Sequence, residues 1–175
     1  MIRKAVADDR AQVLALYQLV AAIPDGIART PAEVTDDYVG GFMQRAAADG
    51  IELVWEEDGR IVGEIHAACP GIAALAHLLT DLTIAVAPGV QGRGVGRGLF
   101  QALLDDVTDR MPHIHRVELF ARVSNTRARA LYRSLGFVEE GRLRGRVNNS
   151  LGVAEDDTLM GWLRPAVTDI PPTPT

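Results

Sequence analysis

The stretch VAPGVQGRGVGRGLF, from Val86 to Phe100, constrains this chain more than any other. Glycines stand at 92, 94, 96 and 98, with arginines at 93 and 97. An apolar run, HLLTDLTIAV, precedes it, and Leu99, Leu103 and Val107 then recur on one helical face. The order is therefore strand, short loop, helix. Glycine weakens a helix start, so the bare backbone must answer another demand. The free N–H groups of a first helical turn converge on one spot, with roughly half a positive charge behind them. Without side chains in the way, a phosphate can sit on that backbone. Arg93 and Arg97 can add charge-assisted contacts. Two familiar phosphate motifs are excluded. The Rossmann pattern needs a third glycine where this chain has Arg97 or Leu99, which disfavours a dinucleotide-dependent oxidoreductase, and no Gly-Lys-Ser/Thr follows as in a Walker loop. An ordinary glycine-rich turn between strand and helix remains the alternative that spacing alone allows.

The rest of the chain supplies an alternating layer pattern. MIRKAV reads as a short strand, and Val13, Leu16, Tyr17 and Val20 mark a helix. Thr30, Pro31 and Glu33 have the spacing of a capped helix start. IELVWEEDGRIVGEIHAA is a hairpin about Asp58-Gly59. RVELFARV is a strand, NTRARALYRSLG a helix closed by Gly136, and FVEEGRLRGRV and DDTLMGWL are late strands. The order β-α-α-β-β-β-α-β-α-β-β predicts an α+β fold of mixed α/β layers. The 175 residues, 47% of them apolar, suit one domain over 1–165, with a proline-rich tail over 166–175 expected to be disordered. A single cysteine, Cys69, excludes an internal disulfide, and the histidine spacing suggests no metal site. The net charge of −5 argues against nonspecific nucleic-acid binding. No stretch approaches the length of a membrane-spanning helix, and no signal peptide is visible, so a cytoplasmic location is expected.

Two motifs carry a resemblance. In IAVAPGVQGRGVGRGLF, Gln91, Gly94 and Gly96 fill the positions of the acyl-CoA signature Gln/Arg-x-x-Gly-x-Gly/Ala of the GNAT superfamily of N-acyltransferases. SNTRARALYRSLGF resembles the second signature of that family, with Asn125 opening a helix, Tyr132 seven residues on, then Gly136 and Phe137. The resemblance covers roughly residues 2–163. It implies a central, splayed, mostly antiparallel sheet flanked by helices, with acetyl-CoA lying between the fourth and fifth strands. The backbone of Ile84, Ala85 and Val86 would pair with the pantetheine arm as a peptide pairs with a sheet edge. Gly92, Arg93, Gly94, Val95, Gly96 and Arg97 would hold the diphosphate, and Asn125 would either cap its helix or touch the cofactor.

Acetyl transfer to an amine has three requirements. The amine must be neutral, yet at pH 7 the neutral form of a lysine-like amine is disfavoured by roughly 4–5 kcal/mol. A base must therefore take its proton. A backbone N–H near Val86 is the natural donor to the developing oxyanion. The departing sulfur needs a proton, and Tyr132 resembles the family's general acid. For the base, relatives that modify protein amino termini carry a Glu where this chain has Phe120, which puts that substrate class in doubt. Relatives resembling the phosphinothricin acetyltransferases carry a carboxylate where this chain has Asp81, and Glu64, His66 and Glu118 are rivals. The resemblance implies a small-molecule or peptide amine as acceptor. Asp25, Glu33, Asp36 and Asp37 would suit a cationic acceptor, and Arg142, Arg144 and Arg146 an acceptor carboxylate. A homodimer is compatible with the family, and a catalytically silent acyl-CoA sensor on the same fold is the competing reading.

Overall fold

The computed structural model describes residues 1–165; the tail expected to be disordered lies outside the described residues. Seven strands form one mixed sheet in the order β1-β2-β3-β4-β5-β7-β6. Four are β1 (Ile2–Lys4), β2 (Gly50–Glu57), β3 (Arg60–Ala68) and β4 (Leu78–Val86), each antiparallel to the next in that order. The others are β5 (Arg116–Arg122), β6 (Val138–Asn148) and β7 (Ala154–Leu163), again antiparallel. The halves meet where β4 and β5 run parallel, and only Leu78 and Leu79 pair there, with Arg116 and Val117. Beyond Leu79 the two strands part, so the sheet opens into a V.

Helices α1 (Arg10–Ala21) and α2 (Asp36–Asp49) cover one face, and α3 (Val95–Arg110) covers the other. Helix α4 (Thr126–Ser134) lies beyond the end of β5. Val13, Tyr17, Val39 and Phe42 are buried under the first pair. Leu99, Phe100, Leu103 and Val107 are buried under α3, each contributing about 1.5–3 kcal/mol by leaving water. The β2–β3 turn has Asp58 at φ 48° and Gly59 at φ 74°, the two left-handed residues of a hairpin whose twist matches its strands.

One expected boundary moves. Glu33 accepts the Thr30 N–H at 2.7 Å, but the box closes only a short turn over Pro31–Glu33. Val34 then turns out of helical geometry, and α2 starts later, where the Thr35 hydroxyl accepts the Tyr38 N–H at 3.1 Å. The capping chemistry was legible, but the same residues can close one turn as well as open a long helix.

Candidate active site

The V between β4 and β5 holds two adjoining clefts. One, about 440 Å³, runs along the glycine-rich loop and is lined by Val86, Gln91, Gly94, Gly96, Arg97 and Arg127. The other, about 480 Å³, opens toward α2 and the β6–β7 hairpin and is lined by Arg29, Arg45, His66, Asp81, Phe120 and Arg146. Ile84, Asn125, Ala128 and Tyr132 line both, so they form the junction.

The glycine loop serves several ends. Gly92 and Gly94 have φ of 81° and 89°, which a side chain would strain, and a Cβ on Gly94 would point into open space. Gly94 caps α3, and the N–H groups of Gly94, Val95, Gly96 and Arg97 find no acceptor among the described residues. Gly98 has another purpose: a Cβ there would lie 2.6 Å from the Trp55 ring. It lets α3 sit close on β2, and it does not line the first cleft. Gln91 donates to the Val86 carbonyl at 3.2 Å and braces the loop against the end of β4.

Two expectations for cofactor contact change. Arg93 reaches away from the cleft to Glu57 at 3.3 Å, and its N–H is given to Val90. Ala85 is buried beside the core of the α1–α2 face. Ala87 gives its N–H to Val62 of β3, so strand alternation turns the backbone of Ala85 the same way and that of Ile84 and Val86 to the open edge. The cleft instead gains Arg127, whose guanidinium lies 3.6 Å from where a Gly92 Cβ would be. Its position one turn before Leu131 on α4 was visible, but which way the helix faces was not.

Asn125 accepts the Ala128 N–H at 3.0 Å and so caps α4 while lining the junction. Tyr132 is buried, its ring 4.9 Å from that of Phe100. Burial pushes its phenol up to about 12, so it holds its proton at neutral pH, and the hydroxyl has no partner among the described residues.

Asp81 sits on a β-bulge. His66 pairs with Thr83 and Ala68 with Thr80, so Asp81 and Leu82 together oppose Ala67, and Asp81 takes φ 53°. The bulge leaves its carboxylate exposed at the second cleft, without an ion pair among the described residues. Of its rivals, Glu118 is held by Thr80 at 3.1 Å and Arg116 at 3.2 Å. Glu64 is fully buried, where it accepts the Tyr17 hydroxyl at 2.5 Å and meets His66 Nδ1 at 3.0 Å.

The charges expected at an acceptor site are mostly committed elsewhere. Asp25 holds Arg122, Asp36 holds Arg10, and Glu33 closes its turn. Arg142 pairs with Asp156, and Arg146 pairs with Asp157 at 2.9 Å while lying over Phe120. Arg29, stacked on Tyr38, and Arg45 line the second cleft with no ion pair among the described residues. Sequence reasoning overlooked both, since nothing local marks them.

A splayed sheet with an open β4 edge and a bare helix N-terminus at the split defines an acyl-CoA N-acyltransferase fold. The profile of the Acetyltransferase (GNAT) family matches residues 15–137, and the chain belongs to that family. A mycothiol acetyltransferase of Beutenbergia cavernae is 48% identical over 54 residues, 31% of this chain and 18% of that protein. The curated relatives it matches are spanned over only 18% to 38% of their own length. A ribosomal-protein-alanine N-acetyltransferase from Brucella melitensis superposes with a TM-score of 0.81 at 24% identity, covering 94% of this chain and 99% of that one. A GNAT superfamily phosphinothricin acetyltransferase from Sinorhizobium meliloti, in complex with acetyl-CoA, gives 0.80 at 21% identity, covering 93% and 87%. At these identities the likeness is one of fold.

Proposed function

We propose that the chain transfers an acetyl group from acetyl-CoA to the amine of an acceptor that also carries an acidic group. The observation that carries this reading is the meeting of two clefts at Tyr132, one built for an anion on backbone N–H groups, the other for an amine. The first cleft fits a diphosphate: four N–H groups at the α3 start lack acceptors among the described residues, and Arg97 and Arg127 flank them. When bound, acetyl-CoA supplies an acetyl group activated as a thioester. The open edge at Ile84 and Val86 offers backbone partners to an amide-bearing arm. The Val86 N–H on that edge donates to the oxyanion. Tyr132 donates its phenolic proton to the departing sulfur.

Asp81 holds the acceptor's ammonium at the mouth of the second cleft. Arg29 and Arg45, which make no ion pair among the described residues, line the same cleft, which supports an acceptor with a carboxylate or similar acid. A thiol-release screen with acetyl-CoA over acidic amino acids, neutral amino acids, polyamines, aminoglycosides and peptides tests this. Acidic amino compounds should give the highest kcat/KM. Preference for polyamines would overturn the acceptor class, and silence with every amine alongside tight coenzyme A binding would make the chain a sensor.

A further inference from the structure

We propose that His66 is the general base for the acceptor amine, with Glu64 and Tyr17 as its buried positioning partners. The proposal rests on the acetyl-transfer reading above and assigns the proton that Asp81 holds only as part of the bound ammonium.

Three residues from two elements meet under α1 and α2. Glu64 and His66 lie on the same face of β3, two residues apart, and Tyr17 comes from α1. All three are buried, and Phe42 stacks on the imidazole with ring centroids 3.9 Å apart and an interplanar angle of 7°. The ring therefore has little freedom to turn. Glu64 Oε2 accepts the Tyr17 hydroxyl, and Oε1 faces His66 Nδ1. In the proposed arrangement Nδ1 carries the hydrogen in that pair and the carboxyl oxygen accepts it. In the neutral ring the lone pair then falls on Nε2, which has no partner among the described residues, and His66 lines the acceptor cleft that Tyr132 also lines. A carboxylate that fixes the tautomer and stabilises the imidazolium is the arrangement by which histidine works as a base in hydrolytic triads.

Desolvation, followed by the Glu64 charge, raises the Tyr17 phenol, so Tyr17 remains a donor. On β2, Glu52 is pushed up to about 8, by burial first and then by Glu64 and Asp9, so at neutral pH it keeps its proton. The charged and titratable groups around His66 are thus Glu64 on its own strand, Tyr17 from α1, Tyr38 and Arg45 from α2, Glu52 from β2 and Asp81 from the bulge of β4. Proton balance is simple. His66 Nε2 takes one of the three ammonium protons, which frees the nitrogen lone pair for bond formation to the acetyl carbon. The bond from that carbon to sulfur breaks, Tyr132 protonates the sulfur, and the phenolate recovers the second nitrogen proton. The amide keeps the third.

Two measurements decide the proposal. Nitrogen NMR of the isotope-labelled wild-type chain reads the tautomer directly, without any acceptor. It should show neutral His66 protonated at Nδ1, and a ring protonated at Nε2 overturns the assignment. With an acceptor found by the thiol-release screen, His66→Gln should lower kcat at pH 7 by about 10²-fold or more, as expected of a general base. The loss should shrink as pH rises toward the amine pKa, while acetyl-CoA affinity by calorimetry stays unchanged. Glu64→Gln should shift the acidic limb of the pH–rate profile, which a merely structural carboxylate would leave in place. Wild-type turnover and pH profile in a folded His66→Gln variant would remove the role, whereas failure of the wild type to turn over would count against the acetyl-transfer reading and leave the tautomer measurement to judge His66.

Discussion

The carboxylate of Asp25, on the α1–α2 loop, grips the guanidinium of Arg122 at the end of β5. The same carboxylate accepts the Ser150 N–H at 2.9 Å, so one acid ties three chain segments beside the second cleft. Those hydrogen bonds, the Ser150 N–H first, hold the Asp25 carboxyl below its usual range. Asp25→Asn should raise the acceptor KM severalfold while coenzyme A affinity stays constant. Steady-state kinetics beside calorimetry checks the split. Equal loss for both ligands would mean that the clasp supports the whole V rather than one cleft.

Gly94 joins a left-handed φ to an open approach from the cleft. Gly94→Asp should weaken coenzyme A binding by about 100-fold or more, equivalent to roughly 2.7 kcal/mol. Gly94→Ala strains the same φ, at a cost of about 1–3 kcal/mol in stability, but adds no charge and should bind far better than the Asp variant. Calorimetry on both, with melting curves as the folding control, separates strain from charge.

Tyr132→Phe keeps the ring packed against Phe100 and Phe137 and removes only the hydroxyl. Turnover should fall by about 10²–10⁴-fold with unchanged cofactor affinity. A variant with wild-type kcat on its true acceptor would reduce Tyr132 to a packing residue.

Glu52 has a folded pKa raised to about 8 by burial and by Glu64 and Asp9. The folded state therefore holds a proton that the unfolded chain has lost above its ordinary carboxyl range, and stability drains as pH rises from about 4.5 through about 8. Glu52→Gln removes that titration. Its melting temperature should match wild type near pH 5 and exceed it increasingly toward pH 8.5. A constant difference across that window would show that Glu52 is not the group responsible.

Gly98 faces the Trp55 ring. Gly98→Ala should lower stability by about 1–3 kcal/mol through overpacking, although alanine favours the helix itself. Denaturant unfolding would read this. A stabilised variant would mean that the indole shifts without cost.

Much of this protein is written locally. Alternation and helical periodicity set the strand and helix order, because a side chain's face follows from its position along its own element. Asp58-Gly59 encodes its turn, Asn125 its cap and Gly94 its left-handed helix start, since each is a demand on one or two backbone residues. The family resemblance was carried by two such local motifs. Tertiary structure decided the rest. The bulge opposite Ala67 chose where Asp81 points, and register is a property of two strands. Long-range pairing chose which charges are committed, consuming Arg142 and Arg146 and leaving Arg29 and Arg45 to the cleft. Nothing near Tyr17 announces Glu64, 47 residues away. Backbone conformation is governed by neighbours in sequence, whereas the partner of a buried or charged group is governed by whatever the packed fold brings within a few ångströms.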